Sequence, residues 1–157
     1  MTTTSNPLFA NIRVVELASM ILAPSAAVIL ADYGAEVIKI EPPKTGDLNR
    51  HWHKINGLPI SDMAYGFQVD NRNKKSVVLD LKTPAAYEAL CKIIREADVL
   101  ITNYRLKALD KLKLDYETIH ALNPRIIYAL ATGFGEKGDE AHKPGYDTVS
   151  YWSRSGI

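Results

Sequence analysis

Ile12 to Asp47, IRVVELASMILAPSAAVILADYGAEVIKIEPPKTGD, decides the fold. It opens on Ile12-Arg13-Val14-Val15-Glu16-Leu17, a short run rich in the β-branched residues that suit a buried strand. A loop follows, and Pro24 and Ser25 then open a helix, because a proline in the first turn lacks only an N–H that would have had no partner there. Ala26 to Tyr33 continue the helix, and Gly34 ends it as the residue that turns left-handed without steric cost. Glu36-Val37-Ile38-Lys39-Ile40 is strand again. Strand, helix and strand within about 30 residues make one parallel βαβ unit.

The rest of the chain reads as further units laid beside the first. Glu41-Pro42-Pro43-Lys44-Thr45-Gly46-Asp47 is a stiff loop at the carboxyl end of a strand, the end at which open α/β sheets bind ligands. Leu48 to Asn73 is irregular and is expected to be a long, functional connection. Its His51 and His53 lack a third ligand nearby and favour a solvated loop over a metal pair. Ser76 to Leu81 is expected as the third strand, preceded by the cations Arg72, Lys74 and Lys75.

Thr83-Pro84 supplies an N-cap and a first-turn proline. The helix after it places Ala86, Leu90, Ile93, Ile94 and Ala97 on one face and pairs Glu88 with Lys92 on another. Val99 to Thr102 is a fourth strand, Leu106 to Leu112 a short helix, and Asp115 caps a helix that Asn123-Pro124 ends. Arg125 to Thr132 is a fifth strand. A glycine-rich loop, Gly133-Phe134-Gly135-Glu136-Lys137-Gly138, leads to a helix expected from Val149. The sequence stops inside that helix, so the chain is expected to be a truncated piece.

With 157 residues, 46% hydrophobic and 24% charged, the composition is that of one ordinary globular domain. A net charge of +1 argues against nucleic-acid or membrane surfaces built on bulk electrostatics, though not against a local cluster of cations around a phosphate. The single cysteine, Cys91, excludes an internal disulfide, suits a reducing compartment and reads as a buried structural thiol. Residues 1–7 are polar, carry no secretory signal and are expected to be disordered. The longest apolar stretch, Met20 to Ala31, is broken by Pro24 and Ser25 and is too short to span a bilayer. The expected location is the cytoplasm.

The strand ends carry Glu41, Lys82, Asn103-Tyr104-Arg105 and Gly133-Phe134-Gly135, which collect on one edge if the strands are parallel. Lys82 and Arg105, with Lys111 nearby, offer charge-assisted bonds to phosphates, although lysines also decorate ordinary solvated faces. The first βα turn has no glycine, so the GxGxxG fingerprint of dinucleotide binding is absent. Neither GxxxxGK[ST] nor a GxSxG nucleophile elbow occurs.

The stretch Ala31 to Glu41, followed by Pro42-Pro43 and Gly46-Asp47, resembles the N-terminal signature of class III CoA-transferases, the formyl-CoA transferase and carnitine CoA-transferase type. Asn71 to Ser76, Leu79 to Lys82, Ala97-Asp98-Val99, Asn103-Tyr104-Arg105, Asn123-Pro124-Arg125, Gly133-Phe134-Gly135 and Pro144-Gly145-Tyr146-Asp147 match in the same order. Each motif is modest, but the ordered set is specific and spans Leu8 to Ile157.

The resemblance implies an α/β, Rossmann-like fold, a mostly parallel sheet with helices on both faces, with residues 8–157 as a CoA-binding domain cut short at its C-terminal end. It implies an interlocked homodimer at full length, acyl-CoA and a small carboxylic acid as substrates, and no metal, nucleic acid or membrane. Met20, Ile21 and Leu22 would then lie by the thioester end of CoA. Leu79, Lys82, Asn103 and Tyr104 would line the nucleotide, and Lys111 would face phosphate. Pro42 stands where some members carry an adenine-contacting arginine.

The implied mechanism is nucleophilic: an aspartate attacks the thioester, and an anhydride and an enzyme–CoA thioester follow. That aspartate falls beyond Ile157; Asp147 reads as structural, and no catalytic residue is assigned within the chain. A racemase branch of the same fold carries histidine where this chain has Tyr146, which favours the transferase. A catalytically empty CoA-binding fragment is the further alternative.

Overall fold

A computed structural model describes residues 7–54, 57 and 59–156. Of the N-terminal segment expected to be disordered, residues 1–6 lie outside the described residues, as does Ile157 at the other end. Five strands among the described residues, β1 (Arg13–Leu17), β2 (Glu36–Glu41), β3 (Lys74–Val78), β4 (Val99–Thr102) and β5 (Ile127–Leu130), form one sheet in the order β3-β2-β1-β4-β5. Every pairing is parallel. Among the described residues six α-helices accompany it: α1 (Leu22–Asp32), α2 (Tyr65–Asn71), α3 (Pro84–Arg95), α4 (Leu106–Leu112), α5 (Tyr116–Leu122) and α6 (Asp147–Arg154).

Alternation along the central strands divides the core in two. Val15, Leu17, Ile40 and Leu100 point to one face and pack with Leu90 and Ile94 of α3, Leu109 of α4 and Ile119 of α5. Val14, Val37 and Ile101 point to the other and pack with Ala23, Ala27 and Ala31 of α1. Helices therefore cover both faces, as a parallel sheet requires. The alanines of α1 let that helix lie close to the sheet. Cys91 is buried in α3.

The expected elements are present, with shifted bounds. α1 starts at Leu22, so Pro24 is its third residue, still within the turn whose N–H groups need no partner. Tyr33 and Gly34 close it, and Gly34 adopts φ 100°, where a Cβ would stand 2.2 Å from that of Pro7. The third strand is Lys74–Val78 rather than Ser76 to Leu81, and so takes in Lys74 and Lys75. Leu79 still pairs, donating its N–H to Glu41 O at 3.0 Å.

The connection after Asp47 is not irregular throughout: it holds a 3-10 helix, Leu48–Lys54, and α2. Thr83 precedes α3 in extended conformation, but its hydroxyl donates to Asp80 O at 2.9 Å instead of capping the helix. Asp115 does cap α5, accepting from Thr118 N at 2.9 Å. Asn123 closes that helix and ties it to α3, donating to Ile94 O and Ala97 O at 2.9 and 2.8 Å. β5 occupies the middle of its expected stretch, and α6 begins at Asp147 rather than Val149. Among the described residues no helix is long and apolar enough to cross a membrane.

Candidate functional site

Because all strands run the same way, their carboxyl ends at Leu17, Glu41, Val78, Thr102 and Leu130 lie along one edge. From β1 the chain continues to β2 on one side, and β4 lies on the other, so the loops leaving β1 and β4 diverge. That divergence makes a crevice at the switch point, the position at which open α/β sheets take ligands. The Asn103 side chain bridges it. Its Nδ2 donates to Ser19 O at 2.7 Å and its Oδ1 accepts from Ser19 N at 3.1 Å. Beneath it, Thr102 Oγ1 donates to Leu17 O at 2.8 Å and accepts from Tyr104 N at 3.1 Å.

The β1–α1 loop carries an unusual backbone. Met20 adopts φ 73°, a region costly for a side chain with a Cβ. Asp47 Oδ1 holds it there by accepting from Met20 N at 3.1 Å, Ser19 Oγ at 3.0 Å and Asn49 N at 2.9 Å. Ile21 and Leu22 beside it are 45% and 69% exposed, an apolar step at the mouth of the crevice. α1 begins at this edge, and no side chain caps it.

Charges are buried under the loop. Glu16 and Lys39 are register partners on β1 and β2, pointing to the α1 face, and their side chains meet at 2.5 Å. Lys39 Nζ also lies 2.7 Å from Asp47 Oδ2, and Lys74 Nζ lies 2.7 Å from Glu16 Oε2. Two lysines thus face two carboxylates. Burial pulls the Lys74 ammonium below its ordinary pKa, against the attraction of Glu16.

At the end of β2, Glu41 is bound by Arg50 Nε and Nη2, both at 2.7 Å, by Ser76 Oγ at 2.6 Å and by Asp47 N at 2.9 Å. Burial alone would push this carboxyl up; the donors outweigh it and hold it at about 2. Arg50 in turn lies 3.7 Å over the Phe67 ring, and its bonds to Glu41 raise its own pKa. A shallow cavity of about 300 Å³ opens here between Glu41, Lys44, Arg50, His51, Ser76 and Val78.

The structure brings Met20, Ile21, Leu22, Asn103 and Tyr104 together at the crevice between β1 and β4. The Tyr104 phenol is held above its ordinary pKa by burial and by the negative charges of Asp47 and Glu16. Leu79 and Lys82 lie two strands away, past the end of β3, with Lys82 exposed and its N–H on Asp80 Oδ1 at 3.2 Å. Lys111 is exposed in the last turn of α4. Among the described residues Lys82, Arg105 and Lys111 make no ion pair, unlike the buried lysines.

The glycine-rich loop packs against the segment around Gly145. Gly133 and Gly145 pack backbone to backbone, so that a Cβ on either would come within about 2.3 Å of the other's Cα, while Gly135 N donates to Thr132 Oγ1 at 2.8 Å. His51 Nε2 lies 2.9 Å from Thr45 O, His53 is buried, and no cluster of three metal-binding side chains occurs among the described residues.

Ser19, Asp47, Glu16, Lys39 and Lys74 were not expected at the site. The available signal was a charge in each of two central parallel strands, positions that are buried on both faces and therefore require partners.

The chain matches the sequence profile of CoA-transferase family III over residues 9–157. It belongs to that family. Among the family III relatives it is 42% identical over 151 residues to the cinnamoyl-CoA:phenyllactate CoA-transferase of Clostridium sporogenes, a match that takes in 96% of this chain and 36% of that protein. It is 42% identical to the succinate–glutarate CoA-transferase of Agrobacterium fabrum, over 91% of this chain and 36% of that one. A crystal structure of a CAIB/BAIF family protein from Brucella suis superposes with a TM-score of 0.85 at 38% identity, over 95% of this chain and 39% of that one. The chain spans little more than a third of the length of the family III proteins it matches.

Proposed function

We propose that the carboxyl edge of this sheet binds the CoA of an acyl-CoA thioester, and that the whole protein moves that CoA to a small carboxylic acid. The observation that carries the reading is the switch-point crevice bridged by Asn103 and Ser19, in a chain that matches family III from residue 9 to 157. CoA has an anionic nucleotide end and an uncharged acyl end, and the edge offers matching chemistry. Lys82, Arg105 and Lys111 are exposed cations without ion-pair partners among the described residues, suited to phosphates. Met20, Ile21 and Leu22 offer apolar surface to the thioester end, Leu79 stands with Lys82 on the nucleotide side, and Asn103 and Tyr104 line the crevice beside the thioester end. Residues 8–157 act as this CoA-binding domain.

In the whole protein an aspartate outside these 157 residues attacks the thioester carbonyl. The C–S bond breaks, the CoA thiolate leaves, and a mixed anhydride remains on the enzyme. The thiolate then attacks the aspartyl carbonyl, releasing the donor acid and forming an enzyme–CoA thioester. The acceptor carboxylate reverses these steps and departs as the new acyl-CoA. Full-length chains work as interlocked homodimers in the cytoplasm, with neither a metal nor a nucleic acid. Tyr146, where a racemase would need a histidine base, supports transfer over racemisation.

A second reading applies to the 157 residues by themselves. They span 36% of the transferases they match, which supports a CoA-binding unit that performs no transfer alone. Calorimetric titration of this chain with CoA tests both readings. Saturable binding without acyl-CoA:acid exchange is expected. Absence of binding overturns the CoA reading, and exchange by this chain alone overturns the placement of the nucleophile outside it.

A further inference from the structure

Of the buried charges Glu16, Lys39, Asp47 and Lys74, three end on the backbone of one short segment, residues 18–24. Lys39 Nζ donates to Ala18 O at 3.0 Å, Asp47 Oδ1 accepts from Met20 N at 3.1 Å, and Lys74 Nζ donates to Pro24 O at 2.8 Å. Glu16 joins the two lysines from below, at 2.5 and 2.7 Å. A buried ion-pair cluster is weak evidence for stability, since apolar residues of the same volume often serve as well or better. What charges supply and apolar residues do not is direction.

That direction has an evident use. Met20 stands at φ 73°, which a methionine keeps only where its surroundings impose it. Asp47 is 2% exposed, and a single oxygen of it collects Ser19 Oγ, Met20 N and Asn49 N, while the other faces Lys39. Ser19 is pinned from the opposite side by Asn103. The loop is thus clamped between the loop that follows β2 and the residue that follows β4.

We propose that Asp47 is a positioning residue, which sets the conformation of Ser19 and Met20 and through them the acyl end of the CoA site, without touching the ligand itself. The proposal rests on the CoA reading above. It differs from a structural role in one respect: it affects one half of the ligand and not the other.

The test compares acetyl-CoA with adenosine 3′,5′-bisphosphate, the nucleotide half alone, on the wild-type chain and on Asp47→Ala and Ser19→Ala. Asp47→Ala is expected to weaken acetyl-CoA binding by about tenfold or more and Ser19→Ala by about threefold, with the bisphosphate changed by less than about twofold in both. Hydrogen exchange is expected to speed at the Met20 and Asn49 amides of Asp47→Ala, with Val15 and Leu100 unchanged.

Equal losses for both ligands, or no loss for either, overturn the proposal. Ser19→Ala leaves the buried ion pairs intact and decides the matter if Asp47→Ala does not fold. A wild-type chain that binds neither ligand overturns the CoA reading and the ligand part of this proposal with it. Unchanged exchange at Met20 in Asp47→Ala overturns the clamp independently of any ligand.

Discussion

Asn103 closes two hydrogen bonds on the backbone of a single residue, Ser19, donating at 2.7 Å and accepting at 3.1 Å. A carboxamide is the side chain that can do both from one plane. The loops that this pair joins leave two adjacent parallel strands in divergent directions, and no other hydrogen bond among the described residues links Ser19 to the β4–α4 loop. The pair therefore sets the width of the crevice.

Asn103→Ala removes both bonds and leaves a partly buried backbone N–H and C=O to find water. A loss of about 1–3 kcal/mol in unfolding free energy is expected by urea denaturation, with weaker CoA binding. Equal stability of wild type and Asn103→Ala would contradict the bridging role.

Glu41 gives the fold an acid limb. Its carboxyl titrates at about 2 in the folded chain against an ordinary 4.5, so its contribution is complete above pH 4.5 and is lost as pH falls from there toward 2. At roughly 1.4 kcal/mol per unit the depression amounts to about 3 kcal/mol. Glu41→Gln is expected to be less stable at pH 7 and to show a flatter stability profile between pH 4.5 and 2. A profile parallel to that of the wild type would show that other carboxylates carry the limb.

Gly133 and Gly145 meet through backbone atoms on both sides, so neither can yield by turning a side chain. Gly145→Ala is expected to force the two segments apart, leaving the sheet intact. Hydrogen exchange would report faster exchange at the Gly135 amide, now bonded to Thr132, with β1 and β4 unchanged. An unaltered Gly135 amide would show that the loop absorbs the methyl group elsewhere.

Lys82 and Lys111 are exposed, so replacing them tests binding without touching the core. Lys82→Ala is expected to leave unfolding free energy within about 0.5 kcal/mol and to weaken CoA about tenfold. Lys111→Ala is expected to act in the same direction. Unchanged affinity in both variants would remove these lysines from the phosphate site.

Much of the fold can be read from local signals. β1, β2 and β4 are apolar runs between turns, Gly34 and Asn123 end helices where such residues should, and Asp115 caps α5 by the expected bond. The parallel arrangement follows from strand and helix alternating. The errors have physical causes. β3 begins earlier than its apolar residues suggest because Lys74, a residue that reads as solvated, is drawn inside by Glu16 from two strands away. α2 gives no local signal because it holds Gly66 and its N-cap, Ala64, offers no side-chain bond.

The site divides in the same way. Ser19 and Asn103 meet because β1 and β4 are neighbours in the sheet although β2 and β3 lie between them in sequence, a pairing that local patterns do not give. The clamp beneath them could not be assembled from spacing, because Glu16, Lys39, Asp47 and Lys74 meet only through sheet register and a loop that folds back. Nor does any local pattern announce a methionine at positive φ.

The central claim is that CoA lies along the carboxyl edge of this sheet, with its acyl end at the β1–β4 crevice. Backbone amide chemical shifts of the isotopically labelled chain, followed during titration with CoA, test it most directly. The account predicts saturable shifts at Ser19 to Ala23, at Leu79 to Lys82 and at Asn103 to Leu106, with little change at the opposite edge around Arg13, Glu36 and Asp98. Shifts confined to that opposite edge, or none at saturating CoA, would contradict it.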